Sequence, residues 1–398
     1  MRYRRTIVLF IATVTFATTV ESQAQVSLYP QVSAETNAMG GAGVSFVSDN
    51  ALATIANPAE LGLLSLHGVL SASYMPDVPA QLNAFAIEGG ATLNRYWRAL
   101  PLKFSVGLGY SNLDYSYPEP GENLTGSLQT DGTDAVTFAL GVDCAVRLGF
   151  GYTLKWVNTK GVDAYYNSTY APDWGAMLQV PITRLVSQTN RHLVRLASNV
   201  TPLFNITFGY SERNVANYMP YGYAILPREG DLGWNFELGL EKLVAGHRWK
   251  LLSFFWLRQA DSPLVSAVDR TRIYNGGLGK VQLYNNLFEG RPTGDVSIEK
   301  GWQIQLGEFI YFRRGSATGP LVSTYETSGW GVALDGLVKA LVFLHLINFE
   351  TGIAKFALDH VDLRFDYSSN PQQMIGIGRT NWYGTGGEGF ESVTLVLR

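Results

Sequence analysis

Val146-Arg147-Leu148-Gly149-Phe150-Gly151-Tyr152-Thr153-Leu154-Lys155-Trp156 is the stretch on which the fold turns. Val146, Leu148, Phe150, Tyr152, Leu154 and Trp156 fall on one face of an extended chain, and Arg147, Gly149, Gly151, Thr153 and Lys155 on the other, because successive side chains of a strand point to opposite sides. One face is wholly apolar and ends in aromatics; the other is small or charged. Just upstream, Val136, Phe138, Leu140 and Val142 alternate with Thr137, Ala139, Gly141 and Asp143. With only Cys144 and Ala145 between them, the two runs predict a hairpin with a very short turn.

The same alternation recurs along the chain. Leu102, Phe104, Val106, Leu108 and Tyr110 carry it, as do Phe204, Ile206, Phe208 and Tyr210, then Leu232, Trp234, Phe236, Leu238 and Leu240, and late on Val361, Leu363, Phe365 and Tyr367. The longest of these runs exceed the roughly 5–6 residues that soluble strands favour and reach the roughly 9–11 that a membrane-crossing strand needs. Aromatics near the ends of the apolar faces match interfacial girdles, and the many glycines opposite them are expected to face a wide, wet lumen that needs no filling.

Composition agrees. The 398 residues include 42 Gly, 21 Tyr, 20 Phe and 9 Trp, yet only 16% are charged, where soluble proteins carry about 25%. After the N-terminal segment no apolar run is long enough for a spanning helix, which leaves a barrel as the membrane solution. The fold class expected is therefore all-β: a transmembrane antiparallel barrel in a bacterial outer membrane. Segments compatible with strands are 67–74, 82–93, 103–115, 134–143, 146–158, 173–181, 203–211, 228–241, 248–259, 301–306, 309–313, 327–335, 361–367 and 390–398. That makes about fourteen, with both termini periplasmic and the longer links 116–133, 159–172, 212–227, 260–300 and 368–389 outside. The links 182–202 and 336–360 break that asymmetry, and the apolar run 337–349 reads as a packed helix or a further strand.

Residues 1–24 read as a signal peptide, with Arg2, Arg4 and Arg5 before an apolar run and Ser22-Gln23-Ala24 as the cleavage site. Residues 25–66 form a compact insert, and 67–398 the barrel. In the insert, the glycines of Met39-Gly40-Gly41-Ala42-Gly43 allow close backbone approach and positive φ. Asp49 or Asn50 can cap a short helix over 51–56, which Asn57-Pro58 stops.

Met39 to Ala42, Asp49 to Ala51 and Asn57-Pro58-Ala59 together resemble the start of the long-chain fatty-acid transporter (FadL-like) superfamily of outer-membrane barrels, and especially its PorV/PorQ branch. The resemblance spans about 25 residues, as counted along the motif. It implies a fourteen-stranded barrel whose N-terminal segment folds into the lumen as a hatch, with Met39, Gly40, Gly41, Asp49, Asn57, Pro58 and Ala59 inside it. It also implies a role in type IX secretion, with outer loops presented to secreted proteins. Tyr218, Tyr221 and Tyr223 in one loop and Tyr274, Tyr284 and Phe288 in another are the candidate contacts; packing over the barrel mouth is the alternative for both. A FadL-like uptake channel for hydrophobic small molecules and a purely structural barrel are the competing functions. The ending Leu397-Arg398 departs from the aromatic terminus of many such barrels.

No catalytic centre is legible. His67, His192, His247, His345 and His360 are scattered without metal-ligand spacing, no Gly-x-Ser-x-Gly elbow occurs, and Cys144 is the single cysteine. The expectation is a protein that is not an enzyme and holds no cofactor or metal. A net charge of −3 without a basic cluster excludes nucleic acid as a partner. The partners expected are outer-membrane lipid, with secreted proteins or secretion-system components on one reading and hydrophobic small molecules on the other.

Overall fold

Alternation of apolar and small or polar residues forms strands because each face then meets one solvent, lipid outside and the lumen inside. A computed structural model describes residues 33–78, 82–95, 102–115, 129–160, 166–189, 200–215, 228–244, 247–264, 277–319, 324–346, 352, 356, 360–369 and 389–397. The signal peptide and Tyr218, Tyr221, Tyr223 and Tyr274 lie outside the described residues. The strands are β1 (Leu70–Val78), β2 (Leu82–Thr92), β3 (Lys103–Tyr115), β4 (Gln129–Asp143), β5 (Arg147–Lys160), β6 (Tyr166–Tyr170), β7 (Asp173–Pro181), β8 (Val200–Arg213), β9 (Glu229–Val244), β10 (His247–Pro263), β11 (Ser297–Leu306), β12 (Ile310–Thr318), β13 (Tyr325–Ala333), β14 (Val361–Ser369) and β15 (Gly389–Leu397). Four α-helices accompany them among the described residues: α1 (Ala34–Ala38), α2 (Glu60–Ser65), α3 (Ile182–Thr189) and α4 (Leu334–Phe343).

All pairings are antiparallel, and β1 meets β15 with Leu70 opposite Leu397, so the sheet closes on itself. Strand β6 does not add a stave. It pairs with β5 at Trp156↔Tyr170, and β7 pairs with the same strand at Thr153↔Asp173, one continuous register. The ladder is parted only at Ala171-Pro172, where proline lacks the N–H that a ladder needs. The fifteen strands therefore make fourteen staves. Each of the fourteen segments read from the sequence corresponds to one stave. The two short ones are longer than expected, Ser297–Leu306 and Ile310–Thr318, and the first begins at Leu70 rather than 67.

The start of β1 and the end of β15 share one end of the barrel. That end carries the tight turns at 144–146 and 307–309 together with α3 and α4. The run expected as a helix or strand over 337–349 is a helix as far as Phe343, with 347–349 outside the described residues; it is tied down where Lys339 Nζ meets Glu308 at 2.5 Å and Asp335 at 3.0 Å. The opposite end carries the links 116–128, 214–228, 264–296 and 370–388.

The outer surface is apolar through the middle of the wall: Leu108, Phe138, Leu140, Phe150, Phe208 and Leu238 are all exposed. Their strand neighbours Ser105, Thr137, Thr153, Thr207 and Glu237 point inward and are buried. Exposed leucines and phenylalanines beside buried threonines and glutamates invert a soluble protein, as a wall facing lipid requires.

The glycines of the inner face correct the expectation of an unfilled lumen. Chain from Ser33 to Leu66 lies inside the barrel, and its backbone rests on them: Gly62 on Gly141, Ala59 on Gly149, Pro58 on Gly151, Val44 on Gly209, and Met39 on Gly301 and Gly315. These positions are small because main chain packs against main chain there. A Cβ on Gly315 would run into the Met39–Gly40 peptide. Gly315→Val is accordingly expected to unseat this segment, at an overpacking cost of about 1–3 kcal/mol. Faster proteolysis within 33–66 and a lower thermal midpoint are the expected readout, with Gly352→Ala, whose Cβ meets open space, as control.

Candidate functional site

The segment from Ser33 to Leu66 is the hatch. Ser33 caps α1, its Oγ accepting from the Thr36 N–H at 3.4 Å. Gly40 and Gly41 follow at φ of 73° and 93°, a region that only glycine enters without strain. This reversal brings the Gly40 N–H to the Thr327 hydroxyl at 3.0 Å. The helix expected over 51–56 is a shorter 3-10 turn, Ala53–Ile55, preceded by Asn50, whose Oδ1 accepts from the Leu52 N–H at 3.0 Å. Asn57-Pro58 then divides that turn from α2.

The motif residues hold the hatch to the wall. The Asn57 side-chain amide donates to the Val44 carbonyl within the hatch (2.7 Å) and to the Tyr210 carbonyl of β8 (3.2 Å). Its Oδ1 accepts from the Ala59 N–H at 3.0 Å. The Asp49 carbonyl accepts from the Ser71 hydroxyl at 2.6 Å. Met39 and Ala42 pack with Phe46 against Phe255 and Leu257 of β10. Gln259, also on β10, accepts the N–H groups of Gly43 and Val44 at 3.0 and 2.8 Å.

Two sides of the hatch differ in chemistry. Toward β12 and β14 it is electrostatic. The Glu35 carboxylate is shared between Arg313 (2.8 Å) and Arg364 (2.9 Å), and both guanidiniums also reach Asp366, at 2.6 and 3.1 Å. The Ser48 hydroxyl donates to Glu35 and accepts from Arg364. All of these groups are buried, so removal of one partner leaves the other charge poorly compensated; this cluster is the latch of the hatch. Toward β1, β2, β3 and β15 the contact is mainly apolar: Ala51, Leu52 and Ile55 pack on Met75, Ala84, Ala86, Leu113 and Phe390, flanked by the hydrogen bonds of Ser71 to the Asp49 carbonyl and of the Ala51 N–H to Ser73. These side chains form a seam, a second apolar contact besides the one on Phe255 and Leu257 of β10.

On the terminal side of the hatch lies a cavity of about 720 Å³. Its ceiling is Phe46–Asp49, Leu63 and Leu64, and its walls include Arg147, Gln179, Asn205, Glu237 and Lys250. Lys250 pairs with Glu237 at 2.6 Å, Arg147 donates to Gln179 at 3.0 Å, and Asn205 donates to Glu237 at 2.7 Å. This is a polar vestibule that reaches the latch itself, since Glu35, Ser48 and Arg364 also line it.

Burial pushes the Glu60 carboxyl on α2 well above the usual carboxylate range; the Ser48 N–H opposes the shift, while Glu88, Glu35 and Asp49 add to it. A carboxyl neutral in the folded state stabilises below its unfolded pKa, and that contribution is lost as pH rises through the raised folded value.

The sequence reading placed Met39, Gly40, Gly41, Asp49, Asn57, Pro58 and Ala59 in this region and missed the charged latch. Its signal was present: Arg364 and Asp366 stood on the polar face of a period-2 strand, but their partner Glu35 is over three hundred positions away. Tyr284 and Phe288 lie elsewhere. Residues 277–296, which contain them, lie against the outer wall, where Trp234 and Arg258, on the outer face, both donate to the Leu287 carbonyl.

Two isosteric changes separate the Glu35 ion cluster from Glu60. Glu35→Gln leaves two buried guanidiniums competing for Asp366 and is expected to cost about 3–5 kcal/mol, seen as loss of protease protection within 33–66. Glu60→Gln, which cannot ionise, is expected to remove the part of the fall in protection with rising pH that titration of Glu60 contributes.

No protein-family model matches the chain, and no curated relative does. Among solved structures, it is similar to the Pseudomonas putida toluene transporter TodX (12% identity, 94% of this chain and 98% of that one, TM-score 0.36). It is similar also to the monoaromatic hydrocarbon channel CymD (10% identity, 94% and 96%, TM-score 0.36) and to the β domain of the Bordetella autotransporter BrkA (9% identity, 83% and 96%, TM-score 0.30).

Proposed function

We propose that this protein is a gated uptake channel of a bacterial outer membrane, FadL-like in plan, with both termini in the periplasm and the hatch as its gate, passing small hydrophobic molecules. The observation that carries the reading is the asymmetric seating of the hatch. One side is clamped by Glu35 between Arg313 and Arg364, and the other rests on an apolar seam formed with Met75, Leu113 and Phe390. Parting that seam exposes apolar side chains on both sides, a path that suits an apolar solute. Every attachment among the described residues is non-covalent, and the vestibule already stands open up to the gate.

The secretion-linked reading draws on the motif from Met39 to Ala59, on the chain length and on the aromatic-rich outer loops. Loop 212–227, one of its two proposed contact surfaces, lies largely outside the described residues.

Reconstituted in vesicles, the protein is expected to speed the entry of toluene but not of a disaccharide of similar bulk. Leu52→Asp, which places a charge in the seam, is expected to lower toluene entry at least about tenfold, since a charge buried without a partner costs well over 1.4 kcal/mol. Equal rates for both solutes would overturn the hydrophobic-substrate reading. No entry of either, together with stoichiometric recovery of a secreted protein on the barrel, would favour the secretion role.

A further inference from the structure

Residues 277–296 pack on the outside of the wall. In β9 and β10 the outward row runs Leu232, Trp234, Phe236 and Leu238 beside Ala260, Arg258, Trp256 and Phe254, register partners in that order. Phe254, Trp256 and Leu238 are exposed, as lipid-facing residues are, yet Trp234 and Ala260 in the same rows are buried. What covers them is the link. Leu287 joins Trp234, Ala260, Val296 and Ile298 in one apolar cluster, with Val281 at its edge. The Trp234 indole donates to the Leu287 carbonyl at 3.0 Å, and the Lys280 N–H donates to Ser262 Oγ, also outward, at 3.0 Å.

The covering element is a π-helix, Leu283–Glu289, closed by Gly290 in the left-handed region. Arg258 fastens its C-terminal end, donating to the Leu287 carbonyl at 2.9 Å and to the Phe288 carbonyl, the end where free carbonyls favour a cation. The guanidinium also lies 5.5 Å from the Trp234 ring and 5.8 Å from the Trp256 ring. With Leu287 turned inward, Leu283, Tyr284 and Phe288 are left exposed, the last two at 67% and 68%. Charged side chains surround them: Lys300 on the outward row of β11, Arg291 at 77% side-chain exposure paired with Glu289 at 3.3 Å, and Lys280 paired with Asp295.

We infer that this segment is a lipid-docking element: Leu283, Tyr284 and Phe288 insert into the outer edge of the lipid layer, and Lys280, Arg291 and Lys300 meet its phosphate head groups. Two observations select lipid as the occupant. The patch is continuous with the lipid-facing belt, lying on Trp234 directly beyond the exposed Trp256. Its rim, with Lys280, Arg291 and Lys300 against Glu289 and Asp295, also keeps a net positive charge beside an apolar face, the arrangement by which amphipathic helices settle at a membrane interface. A protein cargo arriving at the mouth would meet the rim of the barrel and not this side of the wall.

The test uses the full chain with Cys144→Ser and single nitroxide labels at Tyr284→Cys or Phe288→Cys, in vesicles of phosphatidylcholine with phosphatidylglycerol. Labels at Leu108→Cys, in the belt, and Glu326→Cys, at the loop end, serve as references. The Tyr284 and Phe288 labels are expected to follow Leu108, with oxygen collisions favoured over a water-soluble nickel chelate. In the Arg258→Gln background they are expected to move toward the Glu326 values while far-UV circular dichroism still shows the barrel. Labels at 284 and 288 as open to nickel as the one at 326 in the parent protein would overturn the proposal. Labels that stay in lipid after Arg258→Gln would overturn the fastening role of Arg258.

Discussion

Closure of the ladder between β1 and β15 is the constraint from which the rest follows. In lipid no water can serve an unpaired N–H or carbonyl, so a sheet crosses a membrane only when its first and last strands meet. Leu70 opposite Leu397 and Tyr74 opposite Val393 make that join here. Once the ring is closed, the two faces of every strand are assigned, lipid to one and lumen to the other. The interruption at Pro172 is tolerated because the proline sits where β5 and β8 still supply neighbours: the Ala171 N–H reaches the Lys155 carbonyl at 2.9 Å, and the Pro172 carbonyl accepts from Val215 at 2.8 Å.

A closed ring of this size leaves a lumen, and the hatch fills it by a division of labour. Glycine-lined wall receives the hatch main chain at Gly62, Pro58-Ala59 and Met39-Gly40. Side chains of the wall satisfy the hatch's N–H and carbonyl groups: Thr327 at Gly40, Gln259 at Gly43 and Val44, Ser73 at Ala51, and Ser105 at Gly62. The hatch contains little regular secondary structure because the wall takes over the hydrogen bonds that helices or strands would otherwise make.

The barrel was legible in the sequence because lipid imposes a period of two on every stave, and that signal needs only local residues. Even the weak segments 301–306 and 309–313 proved to be cores of full strands, their ends hidden by Glu299, Lys300 and Arg314, whose charge broke the apolar run. The hatch motif was legible as glycines and a proline needing special backbone, but not its seating. Contacts between Glu35 and Arg364, or Asn37 and Ser368, join positions that only the closed ring brings together. The inner glycines show the same limit: composition reported small residues, and the reason for them was a chain segment that had not yet been placed.

The two sides of the hatch impose different consequences on any movement. Separating Glu35 from Arg313 and Arg364 would strand three charges in a buried space, since Asp366 alone cannot satisfy both guanidiniums. Separating Leu52 and Ile55 from Met75 and Phe390 costs the burial of a few side chains, roughly 25 cal/mol for each Å² exposed, and the two hydrogen bonds at Ser71 and Ser73, at a net of about 1 kcal/mol each; an apolar solute entering the gap restores the first of these. The motion of lowest cost is therefore a tilt that opens the β1–β3 side and keeps the β12–β14 side closed. If the barrel works as the channel proposed above, the same disparity gives it selectivity: a polar solute leaves the seam unrepaired, whereas an apolar one repairs it as it passes. Gate and filter would then be one feature of the fold, the unequal chemistry of the two edges of one short segment.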